Sequence, residues 1–181
     1  MKRLQRLGGW PLALLAIVPV AALACLFLLP KSKAEPHVVL PQATATVGSG
    51  EEAVAVSADG EILAWLALPE EVRLPSLPLA AVPEKTRLGG PLLEQARVLG
   101  AAPAALRPYV ESSYRGTSGI DVELRSGIEL RFGDATRAEE KWQAAAAVLA
   151  NPSIEALDYV DLHAPRWPAA GGSGHALPPP P

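Results

Sequence analysis

The sequence predicts an α+β fold: an antiparallel β-sheet with two helices on one face, set behind a single N-terminal transmembrane helix. Three observations predict it. An uncharged apolar run occupies residues 10–30 of a 181-residue chain. Two adjacent segments, 120–125 and 128–132, alternate apolar and polar residues strictly, the period of a sheet with one buried face. Two other segments, 91–102 and 136–149, space their apolar residues at helical intervals.

The apolar run contains no charge, and its only hydrogen-bonding side chain is the Trp10 indole. Residues 11–29 rise through about 28 Å as a helix, close to the hydrocarbon thickness of a bilayer. Trp10 suits one interface, Pro19 is a tolerated kink, and Cys25 and Leu29 are lipid-facing apolar positions. Lys2, Arg3 and Arg6 precede the run and only Lys31 and Lys33 closely follow it. This bias places residues 1–9 in the cytoplasm and the bulk of the chain outside it. Ala22-Leu23-Ala24 resembles a signal-peptidase site, but the chain stays apolar beyond it, and the uncleaved anchor is the preferred reading.

Residues 31–50 lack apolar periodicity, carry Pro36, Pro41, Gly48 and Gly50, and read as a linker. The folded domain is expected over 51–168. Residues 53–57 and 62–65 flank Asp59-Gly60, a strong hairpin signal. Residues 74–79 hold Pro75 and Pro78, which removes two ladder donors and predicts an extended edge segment. Pro91 suits a first helical turn, with Leu92, Leu93, Ala96 and Leu99 on one face and Gly100 as the stop. Residues 110–114 read as a strand. In the alternating pair, Ile120, Val122 and Leu124, then Ile128, Leu130 and Phe132, point inward. The second helix is expected to be capped by Asp134 or Thr136, with Glu139 and Glu140 favourable near its N-terminus and Trp142 in the core. Residues 157–163 form a closing strand, and the glycine- and proline-rich residues 169–181 are expected to be a disordered tail.

Composition narrows the function classes. Residues 31–181 carry 13 basic and 19 acidic groups, a net of −6, so no basic stripe for nucleic acid is expected. One cysteine permits neither an intrachain disulfide nor a thiolate metal site. His37 and His175 lie in the expected linker and tail. Asp158 and Asp161 fall on opposite strand faces and cannot pair. No phosphate loop, nucleophile elbow or metal-ligand spacing is present. The expectation is a non-enzyme without cofactor, metal or small-molecule substrate.

The order and spacing of four pieces resemble the extracytoplasmic part of the FtsQ/DivIB-type bacterial cell division proteins. These are the basic start with one span, the 54–63 strand–Asp-Gly–strand opening leading to Leu74-Pro75-Ser76-Leu77-Pro78-Leu79, the 127–134 strand running into a helix with Lys141, and Tyr159-Val160-Asp161-Leu162 followed by Pro165-Arg166-Trp167-Pro168. The resemblance covers residues 53–168. It departs from the family in one respect: members usually carry a POTRA domain of some 70 residues before this one, where here about twenty linker residues stand.

The resemblance implies a divisome scaffold in the inner membrane, enriched at the septum, that binds FtsB/FtsL-type partners. In that mode a partner adds a strand beside the closing strand. Tyr159 and Trp167 are the aromatic anchors expected at such an interface, with Asp161, His163 and Arg131 beside them. Arg125 and Arg131 also fit plain solvated sheet positions. The same architecture would equally serve another envelope assembly, in secretion or wall synthesis.

Overall fold

The structure, a computed structural model, describes residues 42–69, 72–79 and 81–178. The expected membrane helix, with Trp10, Pro19, Cys25 and Leu29, lies outside the described residues. Among the described residues no helix is long and apolar enough to cross a membrane.

Strands β1 (Ala43–Val47), β2 (Val54–Ser57) and β3 (Ile62–Leu63) form a three-stranded antiparallel sheet in that order. β2 and β3 are the expected hairpin, turned at Asp59-Gly60. Gly60 has φ +81°, and a Cβ there would press on Leu93 and the Leu88 carbonyl, so the turn admits only glycine. β1 falls inside the expected linker. Its Ala-Thr alternation is too weakly apolar to read as a strand, yet Ala45 and Val47 are fully buried.

Helix α1 (Gly90–Gly100) follows, with Pro91 in its first turn as expected. Gln95, Ala96, Val98 and Leu99 are its buried residues, so the face is rotated from the expected one, and Leu92 and Leu93 are only partly covered. A short 3-10 turn over Arg107–Tyr109 leads into a five-stranded sheet. Its order is β4 (Val110–Gly116), β5 (Gly119–Leu124), β6 (Glu129–Gly133), β7 (Ala156–Asp161) and β8 (Ala169–Ala176). Helix α2 (Ala138–Leu149) connects β6 to β7.

Segment 74–79 joins the two sheets, which corrects its expected place at an edge. Ser76 bridges Thr46 of β1 on one side and Ser112 of β4 on the other. The Ser76 N–H donates to the Glu111 carbonyl and the Leu77 N–H to the Thr46 carbonyl, both at 2.9 Å. The prolines flank the two residues whose N–H groups the ladder uses, so their missing donors cost nothing there.

Three further expectations are corrected. The sheet is not antiparallel throughout: β6 and β7 run parallel, because the α2 crossover returns the chain to the end it left. Residues 169–176 are not tail but strand β8, paired antiparallel with β7. The N-cap of α2 is Arg137, in left-handed backbone (φ 52°), while Asp134 binds the Thr136 N–H at 2.9 Å ahead of the helix.

Both helices contribute to one core. Ile120, Val122, Leu124, Ile128, Leu130 and Phe132 all point into it, as their alternation predicts. Trp142 is fully buried, with its ring 5.1 Å from that of Phe132, and its Nε1–H donates to the Val98 carbonyl at 2.7 Å, tying α2 to α1. Lys141 is also buried, at 2% exposure. Its ammonium donates to the Phe132 carbonyl (2.8 Å), the Asp134 carbonyl (3.1 Å) and Asp134 Oδ1 (2.7 Å), so all three donors are used.

Candidate functional site: the outer sheet face and the β8 edge

Strand alternation that sends Leu130, Phe132, Val160 and Leu162 inward sends Glu129, Arg131, Tyr159 and Asp161 to the opposite face. Register then sets them side by side. Glu129 pairs with Tyr159 and Arg131 with Asp161 across β6 and β7. On the other flank Asp121 pairs with Arg131, and Tyr114 with Asp121. The outer face of β4–β7 is therefore a continuous polar ribbon.

Within it the Arg131 guanidinium lies 4.1 Å from the centre of the Tyr159 ring, a cation–π contact. Its Nε also donates to Glu129, and Glu129 Oε2 accepts the Tyr114 hydroxyl at 2.7 Å. These bonds, Arg131's first, hold the Glu129 carboxyl below its usual value. Burial and the same Glu129 push the Tyr114 hydroxyl well above its usual value. Asp121 is 5% exposed, and its Oδ1 has no hydrogen-bond partner among the described residues. Burial, then the nearby Glu129 charge, raises its pKa.

At the end of β7, His163 Nδ1 lies 2.8 Å from Asp161 Oδ1, and its backbone N–H donates to the same oxygen at 3.0 Å. The Asp161 bond is the main cause of a raised His163 pKa. Burial works against the charge on Asp161, but the His163 bonds outweigh it and lower the carboxyl's pKa.

Tyr159, Asp161, His163 and Arg131 are thus brought together on one surface. Trp167 is not among them. It sits in the turn between β7 and β8, 79% exposed, with its N–H donating to the Ala164 carbonyl. Arg125 is elsewhere too, at the end of β5, donating from Nε to the Pro108 carbonyl at 3.0 Å. Tyr114, Asp121 and Glu129 were missed as members of the ribbon. The alternation of Ile120-Asp121-Val122 already placed Asp121 outward, but its burial depends on neighbours that only register supplies.

The closing strand β7 is not an edge. β6 and β8 occupy both of its sides, and among the described residues the open edge belongs to β8. β8 is irregular: Leu157 pairs with His175 and Tyr159 with Gly171, so three residues of β8 (172–174) oppose the single Asp158 of β7. Asp158 fills this bulge, with Oδ1 accepting the Gly174 N–H at 2.7 Å. Gly172 has φ +85°, and a Cβ there would strike the Asp158 carboxylate. The Gly-Gly-Ser-Gly run is therefore shaped by Asp158 and by the Tyr159 hydroxyl against Gly171.

This arrangement places a strand–helix–strand unit and a small-residue final strand behind a β-hairpin and a proline-punctuated connector. The family model described as "Cell division protein FtsQ/DivIB, C-terminal" matches residues 45–163. The chain belongs to the FtsQ/DivIB family. The match opens in β1, takes in α1 and α2, and closes at His163 just past β7, so it covers the polar ribbon and stops before β8. No curated protein matches the chain. FtsQ/DivIB is a family of non-enzymatic cell division proteins.

Proposed function

We propose that this chain is a bitopic inner-membrane scaffold of the bacterial divisome, anchored by residues 10–30 with its N-terminus in the cytoplasm. Its folded domain binds FtsB/FtsL-type partners by accepting a strand. The observation that carries this reading is the open edge of β8, eight residues long, beside a ribbon of charged and aromatic side chains. An unpaired strand edge offers main-chain donors and acceptors, and flanking side chains give the selectivity that main-chain pairing lacks. The acceptor strand is β8 rather than 157–163, since β7 has no free side. Tyr159, Arg131, Asp161 and His163 then serve as the adjacent contact surface, and the exposed Trp167 as an aromatic anchor where the partner strand passes the β7–β8 turn.

A fluorescent fusion of the full chain tests the cellular half of this reading: signal gathers at midcell late in division, and a uniform peripheral signal overturns it. For the interface, Tyr159→Ala in the full chain weakens partner binding about tenfold, the loss typical of an aromatic anchor. Unchanged affinity would remove Tyr159 from the contact surface.

A further inference from the structure

Away from the ribbon, three arginines from three separate segments line one cleft of about 510 Å³: Arg73 from the connector ahead of 74–79, Arg107 from the 3-10 turn, and Arg125 from the end of β5. Its walls include Leu74, Leu99 and Val110. We propose that this cleft is a phosphate-binding site, built for a phosphate group carried on an apolar body, such as an anionic phospholipid headgroup.

The charge pattern is the first argument. Residues 31–181 have a net charge of −6, yet no acidic side chain lines the cleft among the described residues. None of the three arginines has a carboxylate within ion-pair distance among the described residues. Arg87, Arg115, Arg131 and Arg137 each have one, while Arg97 and Arg166 also lack one among the described residues but stand apart from the cluster in the cleft lining. Three arginines lining one space gather positive charge there, which an anion would offset.

Geometry is the second argument. Arg107 Nε donates to the Ala102 carbonyl at 2.8 Å and Arg125 Nε to the Pro108 carbonyl at 3.0 Å. The Arg125 N–H also holds the Tyr109 carbonyl at 2.7 Å, tying the turn to β5. Each stem is fixed by its Nε, and the terminal nitrogens keep their donors. The C-terminal end of α1, which carries partial negative charge, also meets this cleft, and Arg107 sits across it and offsets that charge.

Ligand class follows from number and lining. One carboxylate matches one guanidinium fork. A phosphate group, with up to three free oxygens and as many as two charges, can engage several at once. The apolar wall gives no advantage to a bare ion but suits the glycerol and first methylenes of a lipid.

The test uses the full chain in neutral maltoside micelles, titrated calorimetrically with inorganic phosphate, dihexanoyl phosphatidic acid, dihexanoyl phosphatidylcholine and hexaglutamate, with empty micelles subtracted. Phosphatidic acid is expected to bind about tenfold more tightly than inorganic phosphate, and phosphatidylcholine not measurably. Arg73→Gln, which breaks no hydrogen bond among the described residues, weakens phosphatidic acid about fivefold, and Arg73→Gln with Arg107→Gln weakens it further. Arg166→Gln, a remote exposed arginine, leaves it unchanged. Equal affinity for inorganic phosphate and phosphatidic acid upholds the phosphate site and makes the free ion its ligand. The proposal is overturned if Arg73→Gln binds like the parent, if Arg166→Gln loses as much, or if hexaglutamate binds more tightly than either phosphate.

Discussion

The two outer edges of the joined sheets are treated in opposite ways. At β3 the strand is two residues long and its far side is covered. The Ile62 N–H donates to the Thr86 carbonyl at 2.9 Å, the Leu88 N–H donates to the Gly60 carbonyl at 2.7 Å, and Glu61 bridges Arg87. At β8 the strand is eight residues long, and no described strand pairs with its outer side. Exposed long edges invite unwanted pairing, and proteins usually shorten or cover them. One edge here is closed by that rule and the other is left open, which makes the open one the place to look for a partner.

The largest expected effect removes what both edges share. Trp142→Ala deletes a fully buried ring and its bond to Val98, and such truncations cost about 3–5 kcal/mol. Urea unfolding followed by circular dichroism is expected to find both sheets lost together. A variant that keeps native stability would refute a common core.

Lys141 and Asp134 give the next test. Asp134 is held near a pKa of about 2 by its bonds to Lys141 and then Thr136. A depressed carboxyl stabilises the fold above its ordinary pKa of 3.8 and loses that contribution as pH falls toward 2. Stability is therefore expected to drop across that window. Lys141→Met removes most of that acid dependence, besides taking one of two donors from the Phe132 carbonyl, which keeps the Asp134 N–H. An unchanged acid limb in the variant would assign the drop to other carboxylates.

A smaller change separates the edges. Asp158→Ala removes the acceptor of the Gly174 N–H, a loss of about 1 kcal/mol confined to β8. Amide exchange at Gly174 and its neighbours is expected to quicken while Ile62 and Leu88 stay protected. Uniform quickening would mean the edges are not independent.

The smallest effect concerns His163. Its pKa lies above 6.5 through Asp161, so its contribution to stability is present below 6.5 and fades as pH rises through the folded value. Asp161→Asn is expected to bring the imidazole titration, followed by NMR, back down. A titration that does not move would place the cause elsewhere.

What the sequence revealed depends on whether side chains or backbone define each element. β5 and β6 were legible because Ile120, Val122, Leu124, Leu130 and Phe132 alternate strictly over a buried face. Trp142 was legible as core from helical spacing. β1 and β8 were not, because Ala, Thr, Gly and Ser carry little periodic signal, and main-chain pairing with β2 and β7 sets their place. Segment 74–79 misled for a related reason: proline count predicts an edge, whereas what matters is which N–H groups the neighbours need. The parallel β6–β7 pair follows from strand–helix–strand order and could have been read. Of the site, the outward phase of Arg131, Tyr159 and Asp161 lay in the sequence, but the cation–π contact and the burial of Asp121 required the register between strands.

Amide hydrogen exchange of the full chain, with and without an FtsB/FtsL-type partner, tests the open-edge account most directly. The account predicts that bound partner protects amides within residues 169–176 and leaves those of β3 and its cover at 86–88 as they were. Binding that leaves 169–176 unprotected would contradict it.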